Sequence, residues 1–283
     1  MKIGIGGLNS GPFGRPEVIA QFAREAEALG FESLAAFEHI CVPVKHRPYP
    51  GTPDGQVPGG DRSPIAEPLS TLVFAAAVTS RIRLMTGAIL LPLHHPLYLA
   101  KQLATLDVLS NGRAILGIAN GWCAEEYQAL GIDWKTRGKR TDESIGAMRA
   151  LWRNEAASFR GAQFDFQEVY SFPKPAQKDG IPVLVGGHSP ATARRAARIG
   201  DGFYPLAPDS EELKKLIALM REEARKAGRN PDTIEISTSA ANELDAVKRL
   251  RDLGVSRVML RPPEPAQIRA GLEKIANDII AKL

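Results

Sequence analysis

Short β-branched apolar runs alternate along the chain with longer stretches of helical periodicity. Apolar runs of this kind are typical of strands covered on both faces, as in a parallel sheet. Three of the helical stretches end in a glycine, at Gly30, Gly200 and Gly254, shortly before the next apolar run. Glycine just beyond a helix end caps the helix, so each one marks a helix-to-strand connection. Eight runs are predicted to be strands, at residues 2–8, 33–39, 83–91, 114–121, 182–187, 202–206, 233–237 and 257–260.

The alternation of strands and helices predicts an α/β protein, and eight strands is the number of a (β/α)8 TIM barrel. We therefore expect one barrel domain over residues 1–283, with insertions after strand two and between strands four and five. The first insertion covers residues 41–68. In the second, residues 137–154 are predicted to be helical, and 159–164 with 166–172 to form a hairpin outside the barrel. A doubly wound open sheet is the competing fold, but no GxGxxG motif follows the first strand.

Composition narrows the class of partner. The 283 residues are 44% hydrophobic and 24% charged, as in ordinary globular proteins. A net charge of +4 favours anionic small molecules, but no dense Lys/Arg stripe indicates a nucleic-acid partner. Cys41 and Cys123 have neither the number of a disulfide framework nor a metal-ligand spacing, which favours a reducing compartment. No signal peptide or bilayer-spanning run is recognisable, so we expect a cytoplasmic protein without a membrane partner.

The most informative local pattern lies at residues 181–202, where an apolar run ends in two glycines before a helical stretch. Ser189 is suited to cap that helix and Pro190 to occupy its first position. Glycines let a ligand approach the backbone, and the free N–H groups at the positive end of a helix favour an anion such as phosphate. A tight strand-to-helix turn with a good cap explains the same residues. The local sequence does not decide between the two.

In a TIM barrel the chemistry lies where strands end and loops begin. Strand two ends at Glu38 and His39, and strand four at Asn120, Gly121 and Trp122. An isolated histidine at a strand end is more often held by a backbone carbonyl than catalytic, and the local sequence favours that interpretation here. The insertion at residues 41–68 holds seven of the 21 prolines. Long loops of this kind are functional or disordered, and we expect a lid over the barrel mouth.

Three blocks resemble the bacterial luciferase-like flavin-dependent oxidoreductases. They are AEALGFESLAAFEH (residues 26–39), EPLSTLVFAAAVTSRIRLMTGAILLPLHHPLYLAKQLATLDVLSNGRAILGIANGW (67–122) and IPVLVGGHSPATARRAARIGDGF (181–203). Their joint occurrence in this order is specific, although each block alone is not. Within the family the pattern is most similar to the branch that uses the deazaflavin coenzyme F420. FMN-using relatives share most of these motifs.

The resemblance implies that the flavin lies at the carboxyl-terminal mouth of the barrel. It implies a bulge in strand three, with a non-proline cis peptide at Gly87–Ala88 behind the ring. It also favours a catalytic role for His39, beside the reactive edge of the ring, over the structural role. The remaining cofactor contacts that it implies are Glu38, Thr86, Asn120, Gly121, Trp122, Gly186, Gly187, His188 and Ser189, with the phosphate on the last three.

The family likeness leads us to expect hydride transfer between F420 and a small organic substrate, in a homodimer without a bound metal. The alternative is an FMN-dependent monooxygenase supplied by a partner reductase, and a second alternative is a barrel that binds a flavin without catalysis. Relatives that oxidise sugar phosphates carry a tryptophan and an acidic residue where this chain has Pro43 and Trp122. Glucose 6-phosphate is therefore not the expected substrate.

Overall fold

Parallel strands form a closed barrel in the computed structural model, which describes residues 1–50, 52–206 and 211–283. Each barrel strand pairs with its neighbour in chain order, and the first pairs with the last. The eight-stranded parallel barrel that the sequence predicts is confirmed. The strands are β1 Lys2–Ile5, β2 Ser33–Ala36, β3 Arg83–Thr86, β4 Ile89–Leu90, β5 Ala114–Ala119, β6 Ala156–Arg160, β7 Asp165–Tyr170, β8 Val183–Gly186, β9 Gly202–Tyr204, β10 Glu235–Ser239 and β11 Arg257–Leu260.

Helices connect the strands on the outside of the barrel. The side chain before the first turn caps some of these helices. In α2, the Glu67 carboxylate accepts from the N–H groups of Leu69 and Ser70. No helix in the described ranges has the length and apolar character that crossing a bilayer requires. The helices are α1 Pro16–Ala28, α2 Pro68–Ala76, α3 Pro96–Leu109, α4 Ala124–Ala129, α5 Arg137–Arg153, α6 Pro190–Ile199, α7 Glu211–Lys226, α8 Leu244–Asp252 and α9 Ile268–Asp278.

Several strands end before their predicted bounds, as β2 does at Ala36 rather than at residue 39, and three further places differ from the prediction. The third barrel strand is interrupted, with β4 following β3 after a bulge at Gly87 and Ala88. The hairpin of β6 and β7 begins earlier than predicted, and Phe164 lies in its turn because the N–H of Gly161 donates to the Phe164 carbonyl. The seventh barrel strand starts at Glu235, since a 3-10 turn precedes it. Each shift reflects a local turn that apolar patterning alone does not reveal.

Two apolar layers position the functional end of the barrel. The larger lies between the strands and the helices, and a smaller cluster fills the barrel interior. At the amino-terminal end of the barrel, the buried Arg257 guanidinium is held by Glu32, Glu235 and the Ser33 hydroxyl. Burial lowers the pKa of Arg257 to about 10, so it stays charged at neutral pH. The interior cluster consists of Ala35, Met85, Ile115, Leu184, Tyr204 and Met259.

Candidate active site

A cavity of about 960 Å³ opens at the carboxyl-terminal end of the barrel strands. Of the predicted site residues, Thr86 alone does not line it, because its buried hydroxyl donates to the Gly117 carbonyl at 2.7 Å. Strand ends predicted from separate parts of the sequence therefore meet in one place. The predicted residues that line the cavity are Glu38, His39, Gly87, Ala88, Asn120, Gly121, Trp122, Gly186, Gly187, His188 and Ser189.

The bulge between β3 and β4 forms part of the cavity floor. The peptide bond between Gly87 and Ala88 is cis, as the family resemblance implies. A Cβ atom on Gly87 would lie 3.2 Å from the Cβ of Ala35 and 3.7 Å from the Tyr204 ring. Burial raises the pKa of Tyr204, which keeps its hydroxyl protonated below the cavity. The floor is thus closely packed and has no protruding side chain at Gly87.

The junction of β8 and α6 has the structure of an anion cradle. The Ser189 hydroxyl caps α6 by accepting from the N–H of Thr192 at 3.2 Å. In the described parts of the chain, no acceptor meets the N–H groups of His188, Ser189 and Ala191. The N–H of Gly187 instead donates to the Tyr204 carbonyl at 3.2 Å. Gly187 therefore shapes the cradle rather than supplying a free donor, which differs from the predicted phosphate contact.

Basic side chains line the same cavity as this cradle. Lys135, Arg137, Arg195 and Arg261 line the cavity, and Glu38 is the one acidic residue among the described lining residues. The Arg195 guanidinium is held in place by hydrogen bonds to the Asp142 carboxylate and the Gly138 carbonyl. The Arg137 guanidinium lies 4.1 Å from the centre of the Trp134 ring. The excess of cations favours a ligand with negative charge in the cavity.

His39 is paired with Glu126 of α4, a residue that sequence patterns do not single out. The His39 Nδ1 atom lies 3.1 Å from a Glu126 carboxylate oxygen. That carboxylate is almost fully buried and also accepts from the backbone N–H groups of Ile40 and Cys41. Because a carboxylate only accepts, Nδ1 carries the proton in the neutral ring and Nε2 is the nitrogen left for a ligand.

Glu38 has a separate partner. Its carboxylate accepts from the Leu90 N–H at 2.7 Å and lies 2.9 Å from His94 Nε2. Glu38 and His39 have different partners although both follow β2 directly and both line the cavity. The Glu38 carboxylate already has two partners, Leu90 and His94, so a coenzyme contact would be an additional one. The position of His94 beside a strand end is the one sequence signal for this pair.

The insertion after β2 forms one wall of the cavity and packs on Trp122. Tyr49, Pro50 and Pro58 line the cavity. The Trp122 ring lies 5.2 Å from the Tyr49 ring and 5.3 Å from the His46 ring, both nearly perpendicular to it. Gly51, within the predicted lid, lies outside the described residues. The lid remains a prediction, since the arrangement shows a wall and not a movement.

A histidine in this insertion carries a pH-dependent link. His46 Nδ1 is 2.7 Å from the Arg47 carbonyl and Nε2 is 3.1 Å from an Asp61 oxygen. Both partners are acceptors, so the imidazolium form makes both bonds, and the bond to the Arg47 carbonyl and the Asp61 bond raise the pKa of His46. A raised folded-state pKa stabilises the fold below the unfolded value of about 6.5 and loses that stabilisation as pH rises through the folded value.

We expect the stability gap between the native chain and His46→Asn to shrink between pH 5.5 and pH 8.5 (about one unit below and two above the ordinary value). Urea unfolding at both pH values measures it. Asp61→Asn is the matched control, because it removes the negative charge from the same contact while keeping an acceptor oxygen. A gap that does not change with pH would show that the neutral ring makes these contacts.

Comparison with known sequences supports the family resemblance. The chain matches the luciferase-like monooxygenase family over residues 4–244. A protein of Mycobacterium tuberculosis without an assigned activity is 35% identical over 273 residues, which cover 92% of this chain and 94% of that protein. The F420-dependent glucose-6-phosphate dehydrogenase of Amycolatopsis mediterranei is 30% identical over 235 residues, covering 79% of this chain and 65% of that enzyme.

Solved structures share the same barrel. Monooxygenase RslO1 from Streptomyces bottropensis has a TM-score of 0.81 at 25% identity, covering 100% of this chain and 99% of that chain. The coenzyme F420 dependent tetrahydromethanopterin reductase from Methanopyrus kandleri has a TM-score of 0.79 at 17% identity, with 99% of each chain covered. The second likeness concerns the fold alone. On the sequence match over most of its length, this chain belongs to the luciferase-like monooxygenase family.

Proposed function

We propose that this protein is an F420-dependent oxidoreductase that transfers a hydride between the deazaflavin and a small organic substrate. The observation that carries the proposal is one cavity whose lining holds a cradle of free N–H groups, four basic side chains and His39. A coenzyme with a flat ring and an anionic chain needs both ends together. The F420-dependent relative, at 30% identity, supports the choice of coenzyme.

The residues of this chain fit such a coenzyme. The N–H groups of His188, Ser189 and Ala191 suit a phosphate oxygen, and Arg195 lies beside them in the same wall. The Asn120 side chain lines the cavity and is held by the Thr141 hydroxyl at 2.9 Å, a hydroxyl that also lies 2.8 Å from the Arg137 carbonyl. When bound, the coenzyme supplies the hydride chemistry, and the chain holds the ring and excludes water.

In this proposal His39 is the catalytic residue. Its Nε2 atom is available in the cavity wall because Nδ1 is bound to Glu126. A histidine so oriented donates or accepts the proton that accompanies hydride transfer. Glu126 positions the ring and fixes its tautomer. We further propose a substrate other than glucose 6-phosphate, since Pro43 does not line the cavity and Trp122 takes the place of an acidic residue.

The second candidate is an FMN-dependent monooxygenase that receives reduced flavin from a partner reductase. The likeness to monooxygenase RslO1 over the whole chain favours it. The two functions differ in chemistry, because a deazaflavin has carbon at position 5 and reacts poorly with oxygen. A flavin-binding barrel without catalysis predicts a closed or absent substrate pocket, and the open cavity argues against that alternative.

Titration of the purified protein with F420 and with FMN, followed by flavin fluorescence, tests the choice of coenzyme. We expect F420 to bind at least ten times more tightly (about 1.4 kcal/mol). Its affinity is expected to fall as salt increases, because the basic rim attracts an anionic tail through screened charges. FMN binding ten times more tightly than F420 would show that the second candidate is right.

We also propose that the protein is a cytoplasmic homodimer. Phe74 of α2 and Tyr98 and Leu109 of α3 are 41%, 77% and 61% exposed, and these two helices are neighbours. Free thiols at Cys41 and Cys123 suit a reducing compartment. Light scattering is expected to give twice the chain mass for the native protein. The double variant Phe74→Glu, Leu109→Glu is expected to give the mass of one chain. A native chain that is monomeric at micromolar concentration contradicts the dimer.

A further inference from the structure

The cavity at the barrel mouth has two halves, which belong to different sets of neighbouring strands. The residues proposed to hold the coenzyme lie at the ends of β2, the interrupted β3–β4 strand, β5 and β8, which are neighbours around the barrel. The second half is lined from the ends of β9, β10, β11 and β1, which are neighbours as well. The proposed coenzyme contacts therefore leave the second half of the cavity without a ligand.

This second half is largely apolar. Leu260 and Pro262 line its β11 side, and the two residues after β1 are glycines, which add no side chain. On its β9 and β10 side, the Tyr204 hydroxyl has the Ser239 side chain as its hydrogen-bond partner. These two polar groups are thus paired with each other. A wall of this composition suits the apolar body of a small molecule.

One cation lies in the second half. Arg261 directly follows β11, lines the cavity and is exposed. The other three basic lining residues, Lys135, Arg137 and Arg195, come from the chain between β5 and the end of α6, on the coenzyme side. Arg195 is already bound to the Asp142 carboxylate. No carboxylate in the described ranges forms an ion pair with Arg261, so its charge is available to a ligand.

The Asn242 side chain fixes the backbone of Arg261. The Arg261 N–H donates to Asn242 Oδ1 at 3.0 Å, and the Arg261 carbonyl accepts from Asn242 Nδ2 at 3.0 Å. Both backbone polar groups of Arg261 are therefore occupied, which leaves its guanidinium as the polar group for a ligand. A side chain that extends from a fixed point of the backbone loses less freedom on binding than one on a loose loop.

We propose that the second half of the cavity binds the substrate and that Arg261 binds a carboxylate of it, so that the substrate is a small organic acid with an apolar body. The inference rests on the proposed function, because that function places the coenzyme in the other half. A guanidinium presents paired N–H groups that match the two oxygens of a carboxylate. One cation balances one carboxylate, whereas a phosphate dianion would leave a net charge against an apolar wall. His39 follows β2, the neighbour of β1, and so borders this half.

The test compares cyclohexanecarboxylate with cyclohexanecarboxamide, two probes of nearly the same shape that differ in charge. Both are titrated calorimetrically into the F420-loaded protein near pH 7.5, about three units above the pKa of a carboxyl group. The coenzyme then occupies the anion cradle, which removes the competing site for the carboxylate. We expect the carboxylate to bind about tenfold more tightly than the carboxamide.

Two variants locate this preference. Arg261→Met keeps an unbranched apolar side chain and removes the guanidinium, so carboxylate binding is expected to weaken about tenfold while carboxamide binding stays the same. Lys135→Met is the matched control, because Lys135 is also an exposed cation that lines the cavity, but on the coenzyme side. It is expected to leave the ratio of the two affinities unchanged.

Four results would overturn the proposal. Equal binding of the two probes, or no binding of either, excludes an acid site, and unchanged carboxylate affinity in Arg261→Met excludes this residue. An equal loss in Lys135→Met would show a general effect of the charge in the cavity. A loss of F420 affinity in Arg261→Met as large as the loss of carboxylate affinity would mean that Arg261 binds the coenzyme.

The same titrations in the coenzyme-free protein separate this inference from the proposed function. If F420 does not bind and the carboxylate preference still depends on Arg261, the proposed function is wrong and the acid site is confirmed. If F420 binds and Arg261→Met changes neither probe, the proposed function stands and this inference alone is wrong.

Discussion

His39→Ala is expected to lower turnover by about 10²–10⁴-fold while coenzyme affinity stays within a few-fold. His39 lines the cavity, and its Nδ1 is bound to Glu126 at 3.1 Å, so the substitution removes the available Nε2 that would accept or donate the transferred proton. Affinity is retained because the anion cradle lies on β8 and α6, away from β2. Turnover with a reactive substrate and coenzyme titration measure the two effects separately.

Matched variants separate the roles of this histidine. His39→Asn should recover part of the loss if hydrogen bonding to the ring is the role, and none if proton transfer is needed. Both variants are expected to lose one limb of the pH–rate profile. His95→Ala is the control, since His95 is exposed and does not line the cavity. Near-native turnover in His39→Ala would make His39 a structural residue at the end of a strand.

Gly187→Asp is expected to abolish coenzyme binding. Gly187 has a φ of 124°, which favours glycine, and a Cβ atom there would lie 3.0 Å from the Thr192 hydroxyl oxygen. The new carboxylate would also repel an anion at the cradle. Because the substitution strains the backbone as well, circular dichroism and the melting temperature are needed to show that the barrel is folded.

His188→Glu tests the same cradle without that strain. His188 is exposed and lines the cavity, so a glutamate there adds negative charge beside the free N–H groups. We expect coenzyme affinity to fall by about tenfold or more, and the loss to lessen at high salt. Ser189→Ala should cost about 1 kcal/mol of stability as a lost cap. His95→Glu is the control, because it makes the same exchange outside the cavity. Unchanged coenzyme affinity in both Gly187→Asp and His188→Glu would mean that the anion binds elsewhere.

The sequence alone determines the barrel and much of the site's location. Strands and helices are local patterns of apolar spacing and capping, so β8, Ser189 and α6 follow from a stretch of residues near 181–202. The closed parallel topology follows from counting those patterns. Barrel geometry then brings every strand end to one mouth, which is why most predicted site residues line one cavity.

The tertiary structure decided the partners of those residues. His39 meets Glu126 across 87 residues of sequence, and Glu38 meets His94 across 56. Neither pair has a motif, because the contacts exist only once the barrel closes and the loops fold over its mouth. The packing of Trp122 against Tyr49, with ring centres 5.2 Å apart, is likewise invisible in the sequence, because it depends on where the distant insertion folds.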